Sequence, residues 1–358
     1  MTKPIFCGKI QIGGGAPVSI QSMITTKTTD VQGAIAEINA LALAGCDIVR
    51  LAVPDKAAAE AFGAIRKKVQ VPLVADIHFD HTLAIEAIRL GADKIRINPG
   101  NIGSPVQVKA VVDTAKEYNI PIRVGVNAGS LEKDILQRMG VSAQALVESA
   151  MRNVRLLESM DFDDIVISMK ASNVKMTYDA YQLISNMTDY PLHIGITEAG
   201  PANIAILKSA VGLGALLLAG IGDTMRVSIT GDSLREPEVA LDILAAAGLR
   251  KNAIEFISCP TCGRTKVDLA HMAEIIENRL RTEVAPLRRL RGLPPITVAV
   301  MGCEVNGPGE AAGADVGVAC GAGRGALFVK GKIIKTVNDD EIIDEILRLV
   351  EDYEAYSG

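Results

Sequence analysis

Between residues 18 and 248, short runs rich in Val and Ile alternate with longer segments whose apolar residues recur at helical spacing. Short β-rich runs, each followed by an amphipathic helix, are the pattern of βα units on a parallel sheet. Eight runs are predicted as strands, at 18–23, 46–53, 72–79, 94–98, 121–127, 164–170, 191–198 and 223–230. Segments 30–44 and 237–247 read as two of the intervening helices. Asp30 can cap a helix start, and Gly45 and Gly248 can each end a helix in the left-handed conformation. Eight units predict a TIM (β/α)8 barrel; the same alternation also allows a doubly wound open sheet.

After Gly248 the rhythm changes to an α+β pattern. A helix is predicted at 265–282, strands at 296–300, 316–319, 326–329 and 332–336, and a final helix at 339–353, with Lys330-Gly331 as a hairpin turn. A chain of 358 residues suits a barrel of about 250 residues plus a domain of about 100. The expected division is 1–250 for a barrel that binds substrate and 251–358 for a smaller α+β domain.

Composition removes several classes of function. Hydrophobic residues make up 49% and charged residues 22%, enough to build a large core. A net charge of -5, 3% aromatics and no Trp leave neither the basic surface nor the stacking platforms of a nucleic-acid binder. The longest apolar stretch, 211–221, is broken by three glycines and falls short of the roughly 20 residues that cross a bilayer, and residues 1–7 lack the apolar core of a secretory signal. No membrane partner and a cytoplasmic location are expected. In a reducing cytosol six cysteines read as core residues or ligands rather than disulfides; Cys7 and Cys46 read as small buried hydrophobes.

The predicted barrel strands carry unusual polarity. Arg50, Arg96, Arg123, Lys170 and Arg226 each lie within or at the end of a run where a parallel strand normally carries aliphatic residues on both faces. Cations converging on a barrel mouth in an acidic protein call for an anionic ligand, a phosphate or diphosphate; the alternative is that each pairs with a neighbouring carboxylate. Asp76, His78, Asn98, Asn127, Glu198 and Ser228 lie among them, able to orient hydroxyls or move protons. Glu198, in Gly195-Ile196-Thr197-Glu198-Ala199-Gly200, is the preferred acid. The glycine-rich stretches at 13–15 and 321–325 lack the strand-to-helix context of a dinucleotide site, and no Walker A sequence occurs.

The second domain holds Cys259-Pro260-Thr261-Cys262 and then Cys303 and Cys320, and on ligand softness alone these four cysteines read as the ligands of either a zinc site or a 4Fe-4S cluster. A Cys-x2-Cys pair brings two soft ligands onto one turn, which suits zinc or an iron-sulfur cluster, and spacing does not separate the two. The turn Asn306-Gly307-Pro308-Gly309 could return Glu310 toward the same metal, and a carboxylate holds iron less firmly than a thiolate does.

Four sets of residues carry a resemblance that spans nearly the whole chain. They are Pro17-Val18-x-Ile20-Gln21-Ser22-Met23 after Gly13-Gly14, Arg96-Ile97-Asn98-Pro99-Gly100-Asn101, Gly220-Ile221-Gly222-Asp223-Thr224-x-Arg226-Val227-Ser228, and the pair Cys259-Pro260-Thr261-Cys262-Gly263-Arg264 with Met301-Gly302-Cys303-x-Val305-Asn306-Gly307-Pro308-Gly309-Glu310. Together they resemble the 4-hydroxy-3-methylbut-2-enyl diphosphate synthases, in their shorter bacterial form. The resemblance implies reductive ring opening and dehydroxylation of 2-C-methyl-D-erythritol 2,4-cyclodiphosphate, with electrons from a flavodoxin or ferredoxin. It implies a 4Fe-4S cluster held by Cys259, Cys262, Cys303 and Glu310. Arg50, Arg96, Arg123 and Lys170 would grip the diphosphate, with Arg226 and Ser228 nearby. Glu198 would donate a proton, and Asp76, His78, Asn127 and Asn306 would orient the substrate. A homodimer is implied too, the cluster domain of one subunit capping the barrel of the other. Cys320 is not part of the family pattern and reads as a buried thiol. The rival from the residues alone is a zinc-stapled lyase or aldolase with Lys170 as Schiff-base nucleophile.

Overall fold

The computed structural model describes residues 1–303, 311 and 313–356, the last two by backbone alone. The chain divides into two compact units, Met1–Arg250 and Lys251–Gly358.

The first unit opens with an antiparallel hairpin, β1 (Ile5–Cys7) and β2 (Ile10–Ile12), which the sequence pattern did not predict because each strand is only three residues long. The predicted runs then become β3 (Ser19–Met23), β4 (Ile48–Ala52), β5 (Leu73–Asp76), β6 (Lys94–Ile97), β7 (Ile122–Asn127), β8 (Ile165–Lys170), β9 (His193–Gly195) and β10 (Thr224–Arg226). These eight strands pair in parallel in the order β8-β7-β6-β5-β4-β3-β10-β9. A bridge between Ile167 and Leu192, with Ile167 N donating to Pro191 O at 2.9 Å, joins β8 to β9. Each strand therefore neighbours the next in the chain and the ring meets itself, as in a TIM barrel; a doubly wound sheet would reverse its strand order.

Helix starts follow their capping residues. Asp30 accepts from Gly33 N at the head of Val31–Leu43, and Asp55 accepts from Ala58 N at 2.8 Å at the head of Lys56–Arg66. The helices pack on the outer face of the barrel through Val49, Leu51, Ile95, Ile97, Ile122, Val124, Ile167, Met169 and their neighbours. Cys7 and Ile12 of the hairpin pack on Ile48 and Val74 near the N-terminal ends of β4 and β5, so the hairpin covers that end of the barrel.

The second unit is a five-stranded sheet of β11 (Ile254–Ser258), β12 (Ile296–Met301), β13 (Val316–Cys320), β14 (Arg324–Val329) and β15 (Lys332–Asn338), paired in that order. The first three are parallel and the last two add antiparallel edges. Helices Leu269–Arg279 and Ile342–Glu351 cover one face, on Val298, Val300, Val316, Val318 and Cys320. The helix expected at 265–282 starts later, because Thr265 and Lys266 are tied into the cysteine loop and Asp268 caps the helix through His271 N. It then passes through a π turn at Leu280–Val284 before Ala285–Leu290. Pro286 lacks an N–H for a regular i to i-4 bond, which accounts for the break.

Candidate functional site

Strand parity decides what the barrel encloses. Residues that pack against the helices alternate with residues that point inward, so Ile95 and Ile97 face out and Lys94 and Arg96 face in. The same alternation turns Ser19, Gln21, Arg50, Asp76, Arg123, Ser168, Lys170, His193, Thr224 and Arg226 toward the barrel axis. Most TIM barrels fill this space with branched aliphatics. Here it is largely polar.

Two carboxylates serve six inward cations, Arg50, Lys94, Arg96, Arg123, Lys170 and Arg226. Asp76 Oδ1 accepts from Arg96 Nη1 at 3.1 Å, and Asp76 Oδ2 lies 3.6 Å from Arg50 Nε. Burial would raise the Asp76 carboxyl, but Arg50, His78 and Arg96 outweigh it and hold it well below the usual carboxylate range. His78 Nε2 stands 3.0 Å from Arg96 Nη1 and extends the group toward solvent. Glu236 grips Arg226 with both oxygens, at 3.0 and 2.9 Å. Arg123 is 1% exposed, and among the described residues its Nε and Nη1 have no hydrogen-bond partner. Burial, reinforced by Arg50 and Arg96, pushes it well below its ordinary value. Lys170 is driven down in the same way, first by burial and then by Arg123, Arg50, Arg226 and Arg96. Paired and unpaired cations therefore coexist, and the pocket carries more positive charge than its carboxylates balance.

Two strand glycines make room for these side chains. A Cβ at Gly125 on β7 would stand 2.4 Å from Arg96 Nε, and one at Gly195 on β9 would stand 2.9 Å from Lys170 Nζ. Side chains on β7 and β9 would occupy the volume the cations need.

The remaining predicted residues lie at the C-terminal ends of the strands. Asn127 and Lys170 are register partners at the ends of β7 and β8. Ser228 follows β10 and is half-buried. Asn98 follows β6 and accepts from Gly100 N at 3.2 Å, capping the short helix Pro99–Ile102. Glu198 follows β9, is exposed, and has φ of 52°, a conformation rare for a residue with a side chain. A non-glycine residue held there projects its side chain in a direction that a regular strand end does not offer.

Sequence reasoning missed Glu236, Met23, Lys94, His193 and Gln21. Glu236 follows a helix start and looks like a first-turn carboxylate satisfying the helix dipole. Met23 places its sulfur 3.2 and 3.1 Å from Arg50 Nε and Nη2. Lys94, fully buried with no partner for Nζ among the described residues, is lowered to about 8 by burial. His193 is held well below its ordinary value by burial and by Arg123. Lys94 and His193 were legible only through strand parity, which the predicted boundaries left one or two residues loose.

In the second unit Cys259 directly follows β11, and Cys303 lies two residues beyond β12, the neighbouring parallel strand. Gly302 N donates to Cys259 Sγ at 3.3 Å, and Lys266 N donates to Gly302 O at 3.1 Å, so the two cysteine segments are stitched together. Gly302 packs closely: a Cβ there would stand 2.9 Å from both Leu269 Cδ2 and Thr265 Cγ2. Cys262 is exposed; the Arg264 backbone N–H, with Thr265, lowers its thiol. Among the described residues no disulfide joins any of the six cysteines. Among the described residues no three His, Cys, Asp or Glu side chains already converge on a metal position. Asn306 and Glu310 lie outside the described residues. The donor chemistry of Cys259, Cys262 and Cys303 fits a thiolate-bound cluster: soft sulfurs on adjacent turns, one already accepting a backbone N–H as cluster-bound sulfurs do.

Among the described residues no helix is long and apolar enough to cross a membrane. The barrel is similar in fold to the dihydropteroate synthase of Yersinia pestis, at 10% identity and a TM-score of 0.50 over 69% of this chain and 98% of that one. Residues 2–241 match the GcpE TIM-barrel domain and residues 255–352 the GcpE protein C-terminal domain. A 4-hydroxy-3-methylbut-2-en-1-yl diphosphate synthase (flavodoxin) from Caldanaerobacter subterraneus is 53% identical over 98% of this chain and 97% of its own length. The protein of the same name from Clostridium acetobutylicum is 51% identical over 98% of both. With both domains matched in order along nearly the full length, the chain belongs to the GcpE family, whose curated members bear the name 4-hydroxy-3-methylbut-2-en-1-yl diphosphate synthase.

Proposed function

We propose that this chain is the oxidoreductase of the non-mevalonate isoprenoid route that converts 2-C-methyl-D-erythritol 2,4-cyclodiphosphate to 4-hydroxy-3-methylbut-2-enyl diphosphate. The observation that carries the reading is the excess of buried cations over carboxylates inside a barrel of this family. An anionic diphosphate supplies the missing negative charge, and it offers oxygens to Arg123, Lys170 and the free edges of Arg50, Arg96 and Arg226. Burial and the neighbouring arginines lower the Lys170 ammonium, and a phosphate oxygen beside it opposes that shift. Asp76 and His78 keep Arg96 in place, and Asn127 and Ser228 reach the substrate from the strand ends. Glu198 gives its proton to the hydroxyl that leaves as water, while the C–O bond to the ring phosphate opens and two electrons enter.

Cys259, Cys262, Cys303 and Glu310 would hold a 4Fe-4S cluster, and Asn306 would reach the substrate from the same segment. Such a cluster would relay the two electrons from the donor one at a time. The donor is a flavodoxin or ferredoxin; flavodoxin appears in the names of the relatives. We further propose a cytoplasmic homodimer in which the cluster domain of one subunit caps the barrel of the other, residues 1–250 binding substrate and 251–358 the cluster. The test is anaerobic reconstitution, with iron and acid-labile sulfide measured per chain, followed by turnover of the cyclic diphosphate. About four iron and four sulfide with product formation is expected for a 4Fe-4S enzyme. Zinc without sulfide, with Lys170 trapped by borohydride in the presence of a sugar phosphate, would replace this reading by a Schiff-base lyase.

A further inference from the structure

Glu236 is 3% exposed and is used by none of the roles above, yet it accepts four hydrogen bonds. Oε2 accepts from Ser22 Oγ at 2.7 Å and from Arg226 Nε at 3.0 Å. Oε1 accepts from Arg226 Nη2 at 2.9 Å and from Ile229 N at 3.2 Å. One carboxylate thus ties β3, β10 and the loop that carries Ser228 to the first turn of helix Arg235–Ala246. It takes one edge of the Arg226 guanidinium, Nε with Nη2. Among the described residues the other nitrogen, Nη1, meets only the sulfur of Met23, at 3.9 Å. Arg226 also repels Arg50 and Lys170, both of which its charge depresses. Left alone, so long a side chain would swing away from those cations.

We infer that Glu236 is a positioning residue for the proposed reaction: it holds Arg226 against its cationic neighbours so that Nη1 faces a substrate phosphate oxygen. The carboxylate does not touch substrate; it acts through Arg226 and, by the Ile229 N–H, through the placement of Ser228. Ser22, read from sequence only as part of a motif, anchors the carboxylate from β3, the strand paired with β10.

This inference rests on the diphosphate reading of the pocket, and a double-mutant cycle separates the two. The variants are Glu236→Gln, Arg226→Ala and their combination, with iron content and thermal denaturation measured on each. The readouts are KM and kcat of the reconstituted holoenzyme and, independently of turnover, the affinity for inorganic pyrophosphate by calorimetry. Glu236→Gln should weaken pyrophosphate binding and raise KM by about 10- to 100-fold, the scale of one or two charge-assisted bonds, with a smaller change in kcat. Added to Arg226→Ala it should change either quantity less than twofold, because the arginine it positions is already gone and the Gln oxygen still accepts from Ile229 N. Glu236→Asp should restore part of the affinity. Equal effects of Glu236→Gln with and without Arg226, or none in either background, would overturn the inference. Should Glu236→Gln not fold, Ser22→Ala removes one anchor of the carboxylate and should show the same dependence on Arg226 at smaller amplitude; additivity there overturns the inference equally. A wild-type holoenzyme that binds pyrophosphate with the expected non-additivity but fails to turn over the cyclic diphosphate would leave the positioning role standing and sink the reaction assigned to it.

Discussion

Replacing Asp76 with Asn tests whether the barrel interior is held together by shared charge. Asp76 is 6% exposed and meets Arg96 at 3.1 Å and Arg50 at 3.6 Å. At an effective dielectric near 20 each contact is worth about 4–5 kcal/mol before desolvation is subtracted. Breaking one member of a buried pair costs about 3–5 kcal/mol, because the partner is left buried and uncompensated. Asn keeps the shape and one acceptor for Arg96, which places the loss near the lower end, about 3 kcal/mol. For a unit of this size that is roughly 6–12 °C in Tm. The assay is thermal denaturation of the full chain by circular dichroism, with and without pyrophosphate. Pyrophosphate should raise the Tm of Asp76→Asn more than that of the wild type, since the variant pocket carries one more uncompensated positive charge. The pH dependence gives a second arm. A carboxyl held below its unfolded value of about 4 contributes stability that is complete above that value and drains away as pH falls toward the folded value. The wild type should therefore lose Tm more steeply than Asp76→Asn between pH 5 and 3. Equal Tm values at neutral pH, with parallel acid profiles, would refute the shared-charge account.

Three further outcomes follow from the geometry. Gly125→Ala puts a methyl 2.4 Å from Arg96 Nε, so it should raise KM for the cyclic diphosphate about tenfold through a displaced arginine while Tm falls by only a few degrees, because the tip of a side chain can yield; KM unchanged would mean that Arg96 does not bind substrate. Glu198→Gln should lower kcat by about 100-fold or more with iron and sulfide content intact, and full activity would remove Glu198 as the proton donor. In the iron-free chain, a short iodoacetamide pulse read by mass spectrometry should label exposed Cys262 first and leave Cys7, Cys46 and Cys320 unmodified; these three are buried, and burial raises their thiols to about 11, 12 and 12. Labelling of Cys320 at the rate of Cys262 would contradict its burial at the end of β13 under the helices.

The barrel was legible because its two periods are clean. Outward residues such as Ile95, Ile97, Val124 and Ile167 mark the strands, and capping residues such as Asp30 mark the helix starts. The cations were legible as exceptions to that pattern, since an arginine in a parallel strand has no apolar reading. Their partners were not. Asp76 sits beside Arg96 in the register of β5 and β6 and also reaches Arg50 on β4, and Glu236 reaches Arg226 from a helix start ten residues on, pairings set by strand register and by the path of the loop after β10 rather than by spacing within one element. Gly125 and Gly195 carried a signal that sequence reading passed over: a glycine inside a strand marks a close approach, and here the approaching groups are Arg96 and Lys170. In the second unit the cysteine loop displaced the predicted start of a helix by four residues, because Thr265 bonds back to Cys262 instead of joining the helix.

The cost of the polar interior explains how the two layers of the barrel divide their work. Among the described residues, Lys94, Arg123 and His193 are buried by groups that do not complete their hydrogen bonds, and Gln21 leaves both side-chain polar atoms without a partner. A buried polar atom left unpaired costs about 1–3 kcal/mol, so the interior layer opposes folding unless water or a ligand completes it. The opposing stabilisation comes from the strand–helix layer, where Val, Ile, Leu and Ala pack continuously around the ring. Separating the layers by strand parity lets one face of each strand hold the fold while the other holds charge ready for an anion. That arrangement keeps the cations fixed before substrate arrives, so binding need not pay to gather them. It also means that substitutions on the outward face should change Tm with little change in KM, whereas those on the inward face should change KM more than Tm, except at Asp76 and Glu236, where the two roles meet in one carboxylate.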